Sequence, residues 1–171
     1  DRWPEAAEYA GEASGLLAVS ISQIHPHFIL WFRPEVVRTI DWAGDPTKPI
    51  YDFDQAVERV TAAVEAAKSL GTPFILTARC ENFLHGHPDL DDTIKRLQAF
   101  EKAGADVLFA PGLPDLKAVR AVCSSLSKPV NFMVGIPGRS FSVPELQEAG
   151  VRRISLATSL HRAAMSGVYN A

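Results

Sequence analysis

Lys102-Ala103-Gly104-Ala105-Asp106-Val107-Leu108-Phe109 decides the fold. An amphipathic stretch, Asp91–Ala103, ends at a glycine, and a short apolar run, Val107–Phe109, follows within a few residues. Glycine supplies the left-handed residue that closes a helix and turns the chain into a strand. The joint recurs as Glu148-Ala149-Gly150-Val151 before Arg153–Leu156, and as Glu12-Ala13-Ser14-Gly15 before Leu16–Ile21. Strands begin near 107, 130 and 153, 23 residues apart each time.

Working outward, Asp54–Ser69 sets Ala56, Val57, Val60, Val64 and Ala67 at helical spacing and is stopped by Gly71. Phe74–Ala78 reads as a strand buried on both faces. Asp115 caps a helix running to about Ser125, and Val130–Val134 is a strand. Ser142, Pro144 and Glu145 open a helix with a capping box, and Thr158 opens a last one. Five parallel strands are therefore predicted, near 16–21, 74–78, 107–109, 130–134 and 153–156, with helices outside. The fold class is α/β, a partial (β/α)8 barrel of about five βα units in a single domain over 1–171. A doubly wound sheet fits the same pattern, but no GxGxxG or GxxxxGK[ST] loop follows any strand.

A complete barrel needs about 250 residues, more than the 171 present. With Asp1 first, the chain is expected to be the C-terminal portion of one. Its open side should expose apolar surface. Net charge −3 gives nucleic-acid binding no electrostatic support. Cys80 and Cys123 lie far apart with no zinc spacing, so a reduced, cytoplasmic setting is the default. No signal peptide opens the chain, and the longest apolar run, Phe28–Phe32, is too short for a membrane span. Residues 22–43, SQIHPHFILWFRPEVVRTIDWA, break the rhythm and read as an atypical insertion packed onto the barrel or as a translation artefact.

Thr77-Ala78-Arg79-Cys80-Glu81-Asn82 stands out next, along with GDPTKPIYDF, TARCENFLHG, LDDTIKRLQAFEKAGADVLFAPGL, KPVNFMVG and ELQEAGVRRIS. In this order, from Gly44 to Val168, the pieces resemble the isocitrate lyase/phosphoenolpyruvate mutase superfamily. The nearest branch is the phosphoenolpyruvate mutase-like or methylisocitrate lyase-like one. The resemblance implies a lyase or phosphonomutase-type enzyme. It would cleave or form a C–C or P–C bond next to a carboxylate, through an enolate, on small 2-oxo or dicarboxylic acids. It also implies Mg²⁺ in the full-length enzyme, a small carboxylate partner, and a homo-oligomer in full-length form.

Arg79 matches the family's substrate-binding arginine and is the candidate catalytic residue. A planar guanidinium suits a carboxylate or an enolate oxyanion, and the C-terminal end of a barrel strand is where such groups gather. Glu81, Asn82 and His85 follow at the mouth as candidate substrate contacts, although an Asx turn would also explain Asn82. Asn131, set among apolar residues, is a fourth candidate, since a buried amide is costly without partners. His85 and His87 form an HxH pair with no third ligand near in sequence. Cys80 lacks the context of a nucleophile and reads as packing.

The family's DxD magnesium pair is absent from the chain. Ile40-Asp41 stands where a Glu-Asp pair is expected, so Asp41 and Asp45 are weak metal candidates, and Mg²⁺ binding by this chain is doubtful. The rivals are a catalytically inactive barrel fragment and a barrel aldolase of another class. The aldolase needs a Schiff-base lysine at a strand end, whereas Lys48, Lys95, Lys117 and Lys128 read as loop or helix residues.

Overall fold

The computed structural model describes residues 36–45, 47–69 and 74–171. The predicted strand at 16–21 and most of the 22–43 segment lie outside them. Strands β1 (Val36–Ile40), β2 (Trp42–Asp45) and β3 (Lys48–Ile50) come first, then helix α1 (Phe53–Ser69) and β4 (Ile75–Arg79). A 3₁₀ turn (Asn82–Leu84) leads into α2 (Leu90–Ala103) and β5 (Val107–Phe109). Then follow α3 (Leu116–Ser124), β6 (Val130–Met133), α4 (Val143–Glu148), β7 (Arg153–Ser155) and α5 (Ser159–Tyr169).

The main sheet runs β1-β4-β5-β6-β7 with every neighbouring pair parallel. Four of the five predicted strands fall where the sequence put them. The fifth, at 16–21, lies outside the described residues, and the correction falls on a different stretch. Residues 36–40 belong to the segment read as an insertion packed onto the barrel, and instead they form a strand of the sheet, with Ile40 in register with Arg79. The antiparallel β2/β3 hairpin was not foreseen. Its strands are too short, and their sequence too polar, to carry a strand period.

Helix ends follow the sequence signals. Asp89 accepts from the Asp92 amide, Asp115 accepts from the Ala118 amide, and Ser142 with Glu145 makes the capping box. Gly104 adopts φ +108, and a Cβ there would meet Val64 Cγ1 at 3.0 Å. Both the backbone sign and the close helix approach require glycine. The core lies between sheet and helices. Leu76, Ala78, Leu108, Val130 and Phe132 pack there against Val60, Val64, Leu97, Phe100, Val119 and Leu146.

Because side chains alternate across a strand, that core fixes which residues face the other way. These are Thr77 and Arg79 on β4, Phe109 on β5, Asn131 on β6, and Arg153 and Ser155 on β7. On this face Arg79, Phe109, Asn131 and Arg153 stand in one register row across four strands. Apolar exposure gathers on the last helix. Leu160, Val168 and Tyr169 are 69%, 71% and 90% exposed, and α5 has no buried residue.

Candidate functional site

Arg79 closes β4, as predicted. Its Nε donates to Glu81 Oε1 at 2.5 Å, and its guanidinium carbon lies 4.7 Å above the Phe109 ring. Both contacts fix the plane of the group. Glu81 takes Nε, the nitrogen that an end-on, two-pronged carboxylate contact leaves aside. Glu81 is buried, and its second oxygen is 3.5 Å from His85 Nε2. Three predicted residues, Arg79, Glu81 and His85, thus form one chain of contacts at the mouth.

Asn82 is brought near but turned elsewhere. Its amide nitrogen donates to Asp92 Oδ2 at 2.9 Å and Thr93 Oγ1 at 3.1 Å, pinning the 3₁₀ turn to the first turn of α2. The Asx-turn alternative was close in spirit, although the bonds run to a helix and not to local backbone. His87 is exposed and is held by its backbone N–H to the Asn82 carbonyl.

Asp41 follows β1 directly and is 2% exposed. Its Oδ1 accepts the Glu81 amide at 2.7 Å, and its Oδ2 lies 3.5 Å from Arg96 Nη1. Burial is the main reason its carboxyl is pushed up to about 6, against the Glu81 amide and Arg96, which pull it down. Arg96 also donates to Asp92 and to the Tyr51 carbonyl, which ties α2, β1 and the hairpin together. This residue was missed in the sequence. Asp92 and Arg96 at i,i+4 read as an ordinary surface pair, and only the fold buries the arginine. Cys80 is fully buried beside Asp41, and desolvation raises its thiol well above the usual range, which agrees with a packing role.

Mg²⁺ calls for near-octahedral oxygen ligands, with one or two carboxylates and several waters. Among the described residues no group of three His, Cys, Asp or Glu side chains could hold a metal. Both Asp41 oxygens are already turned to the Glu81 amide and Arg96, and Asp45 sits on β2 opposite Lys48. The described residues do not fit a magnesium site.

Asn131 sits three strands from β1. Its Nδ2 donates to Ser155 Oγ at 3.1 Å, while its buried Oδ1 has no partner. Thr77 Oγ1 and Arg153 Nη1 are likewise buried without partners. These three atoms belong to the face away from the helices, while Asp41 Oδ2 and Arg59 Nε, elsewhere in the described residues, also lack a hydrogen bond. Arg153 was not singled out in the sequence, yet the alternation Arg153-Ile154-Ser155 carried the signal. Of the lysines weighed for an aldolase, Lys95 and Lys117 lie on helices and Lys128 in a loop, as expected. Lys48 instead begins β3, exposed and paired with Asp52. None ends a strand of the main sheet.

A parallel sheet with helices on one face and a largely polar row on the other is the arrangement of part of a (β/α)8 barrel. The family model described as phosphoenolpyruvate phosphomutase matches residues 40–171, and the chain belongs to that family. A solved lyase/mutase structure from Burkholderia cenocepacia J2315 is 47% identical with a TM-score of 0.77, over 80% of this chain and 49% of that one. Oxaloacetate decarboxylase of Paraburkholderia xenovorans LB400 is 35% identical over 55% of this chain and 30% of its own length. The 2-methylisocitrate lyase of Escherichia coli K12 is 30% identical over 73% and 43%. The chain thus spans about half the solved structure and less than half of these enzymes.

The N-terminal stretch resembles something else. Residues 1–61 match a model described as the phytochrome region. Cyanobacterial phytochrome B of Nostoc is 56% identical over 48 residues, 28% of this chain and 6% of that protein. The irregular segment 22–43 and the predicted strand 16–21 both fall within this one match. Strand β1 lies almost wholly ahead of residue 40, where the phosphomutase match begins.

Proposed function

We propose that the chain carries the carboxylate-holding part of a lyase or phosphonomutase site acting on small 2-oxo or dicarboxylic acids. The observation behind this reading is Arg79, oriented by Glu81 and Phe109 at a strand's C-terminal end, in the row that also holds Asn131. In this reading Arg79 grips the substrate carboxylate and stabilises negative charge as an adjacent C–C or P–C bond breaks. Glu81 and His85 set its orientation. Relatives described as oxaloacetate decarboxylase and 2-methylisocitrate lyase support the substrate class. Mg²⁺ belongs to the complete enzyme, whose upstream strands would supply its ligands, and this chain should bind it weakly or not at all. A magnesium titration reaching micromolar affinity would contradict that. No photoreceptor role is proposed, since the phytochrome match covers 6% of its relative.

The test is Arg79→Lys in a protein with the complete barrel, assayed on oxaloacetate, 2-methylisocitrate and phosphoenolpyruvate. Lysine keeps the charge and loses the fork. Removing one preorganised donor costs about 2.7–4 kcal/mol in a measured oxyanion-hole case, so kcat/KM should fall roughly a hundredfold or more, with kcat falling too. The melting temperature should hold. Near-normal turnover would make Arg79 a loop salt-bridge residue.

A further inference from the structure

The proposed role of Arg79 accounts for one end of the row and leaves the other unexplained. Arg153 faces the same side from β7, in register with Asn131, which is in register with Phe109 and, one strand further on, Arg79. No carboxylate among the described residues pairs with Arg153, and its Nη1 is buried without a hydrogen bond. Beside it, Asn131 is 2% exposed and keeps an open acceptor at Oδ1. The described acids at the mouth are committed elsewhere, Glu81 to Arg79 and Asp41 to the Glu81 amide and Arg96. A half-buried cation with an enclosed, unbonded Nη1 next to an open amide acceptor, with no acid in the row between them and Arg79, is complementary to an anion that also carries a donor.

We propose that Arg153 is a second anion contact of this site, a specificity-determining residue that takes the distal carboxylate of a dicarboxylic substrate. The proposal rests on the reading of Arg79 as the first carboxylate anchor. Three strand steps of about 4.8 Å put the two arginine positions roughly 14 Å apart along the sheet. Arg79 already leans over Phe109 on the next strand, 4.7 Å from its ring centroid, and an arginine side chain at 153 is long enough to span the rest of that gap with a small diacid between the two groups. Asn131 Oδ1, lying between them, takes a hydroxyl of the ligand. A monocarboxylate fills only the Arg79 end.

L-malate and L-lactate differ by one carboxylate and serve as probes. Each is titrated into the chain and followed by backbone and guanidinium NMR shifts, alongside Arg153→Met, Arg153→Lys and Arg79→Met. A charge-assisted hydrogen bond is worth about 1.5–3 kcal/mol, so wild type should bind malate roughly tenfold or more tighter than lactate. Arg153→Met should erase that preference with lactate affinity unchanged, and Arg153→Lys should restore part of it. Arg79→Met should weaken both ligands. A wild-type malate-to-lactate ratio near one, or a ratio unmoved by Arg153→Met while the melting temperature falls, overturns the proposal and makes Arg153 a structural cation. Lactate binding that ignores Arg79→Met instead overturns the Arg79 reading on which it stands.

Discussion

Asn82 and Asn131 are each 2% exposed, and the fold treats them in opposite ways. Asn82 spends both amide hydrogens on Asp92 and Thr93. Its neighbours interlock as well, with Asp41 on the Glu81 amide and Arg96 on Asp92 and the Tyr51 carbonyl. Asn131 keeps Oδ1 open, beside an arginine that keeps Nη1 open. An unmade hydrogen bond on a buried group costs about 1–3 kcal/mol. Near β4 most polar groups hold one another, and Asp41 Oδ2, which faces Arg96, and Thr77 Oγ1 are left without a hydrogen bond, whereas at the β6–β7 end an open acceptor and an open donor stand side by side, a cost that a ligand would relieve.

The sharpest way to strain that contrast is pH. Asp41 belongs to the interlocked end, and its carboxyl is pushed from 3.8 to about 6, chiefly by burial. Between those values the folded chain binds more protons than the unfolded one, so stability falls as pH rises from about 4 to about 6. The change is on the order of 3 kcal/mol. Asp41→Asn keeps an acceptor for the Glu81 amide and should flatten that slope in denaturant melts taken from pH 4 to 7. An unchanged slope would mean that Asp41 is better solvated than its burial implies.

Asn82→Leu should come next in size. It removes two hydrogen bonds, one of them to a carboxylate, while Thr93 Oγ1 keeps its bond to the Asp89 carbonyl, for a loss of about 2–3 kcal/mol by chemical denaturation. Asn131→Leu should be the mildest, within about 1 kcal/mol of wild type, since it removes an unsatisfied oxygen along with one bond. Equal losses at the two positions would erase the distinction drawn between them.

Much of the fold was legible because it repeats. Gly104 and Gly150, the caps at Asp115 and Ser142, and the 23-residue spacing all reappear as drawn. Strand β1 was not foreseen because Val36–Ile40 follows a phytochrome-like stretch with no helix–glycine joint directly before it. Its place in the sheet is set by pairing with β4, a long-range fact with no local mark. In the site, Arg79, Glu81 and His85 were readable as a strand end and its loop. Asn82 was ambiguous, because a buried amide looks the same in sequence whether a helix or a substrate satisfies it. Arg96 hid as a surface-type i,i+4 pair, and Arg153 hid beside Arg152, although strand alternation distinguishes the two.

The central claim is that the open polar face is made for a carboxylate ligand and not for the fold. It is tested most directly by measuring malate affinity and melting temperature together on Asn131→Leu. The account predicts a melting temperature near that of wild type with malate binding weakened roughly tenfold, the worth of one or two hydrogen bonds. A variant that melts well below wild type and binds malate as before would contradict it.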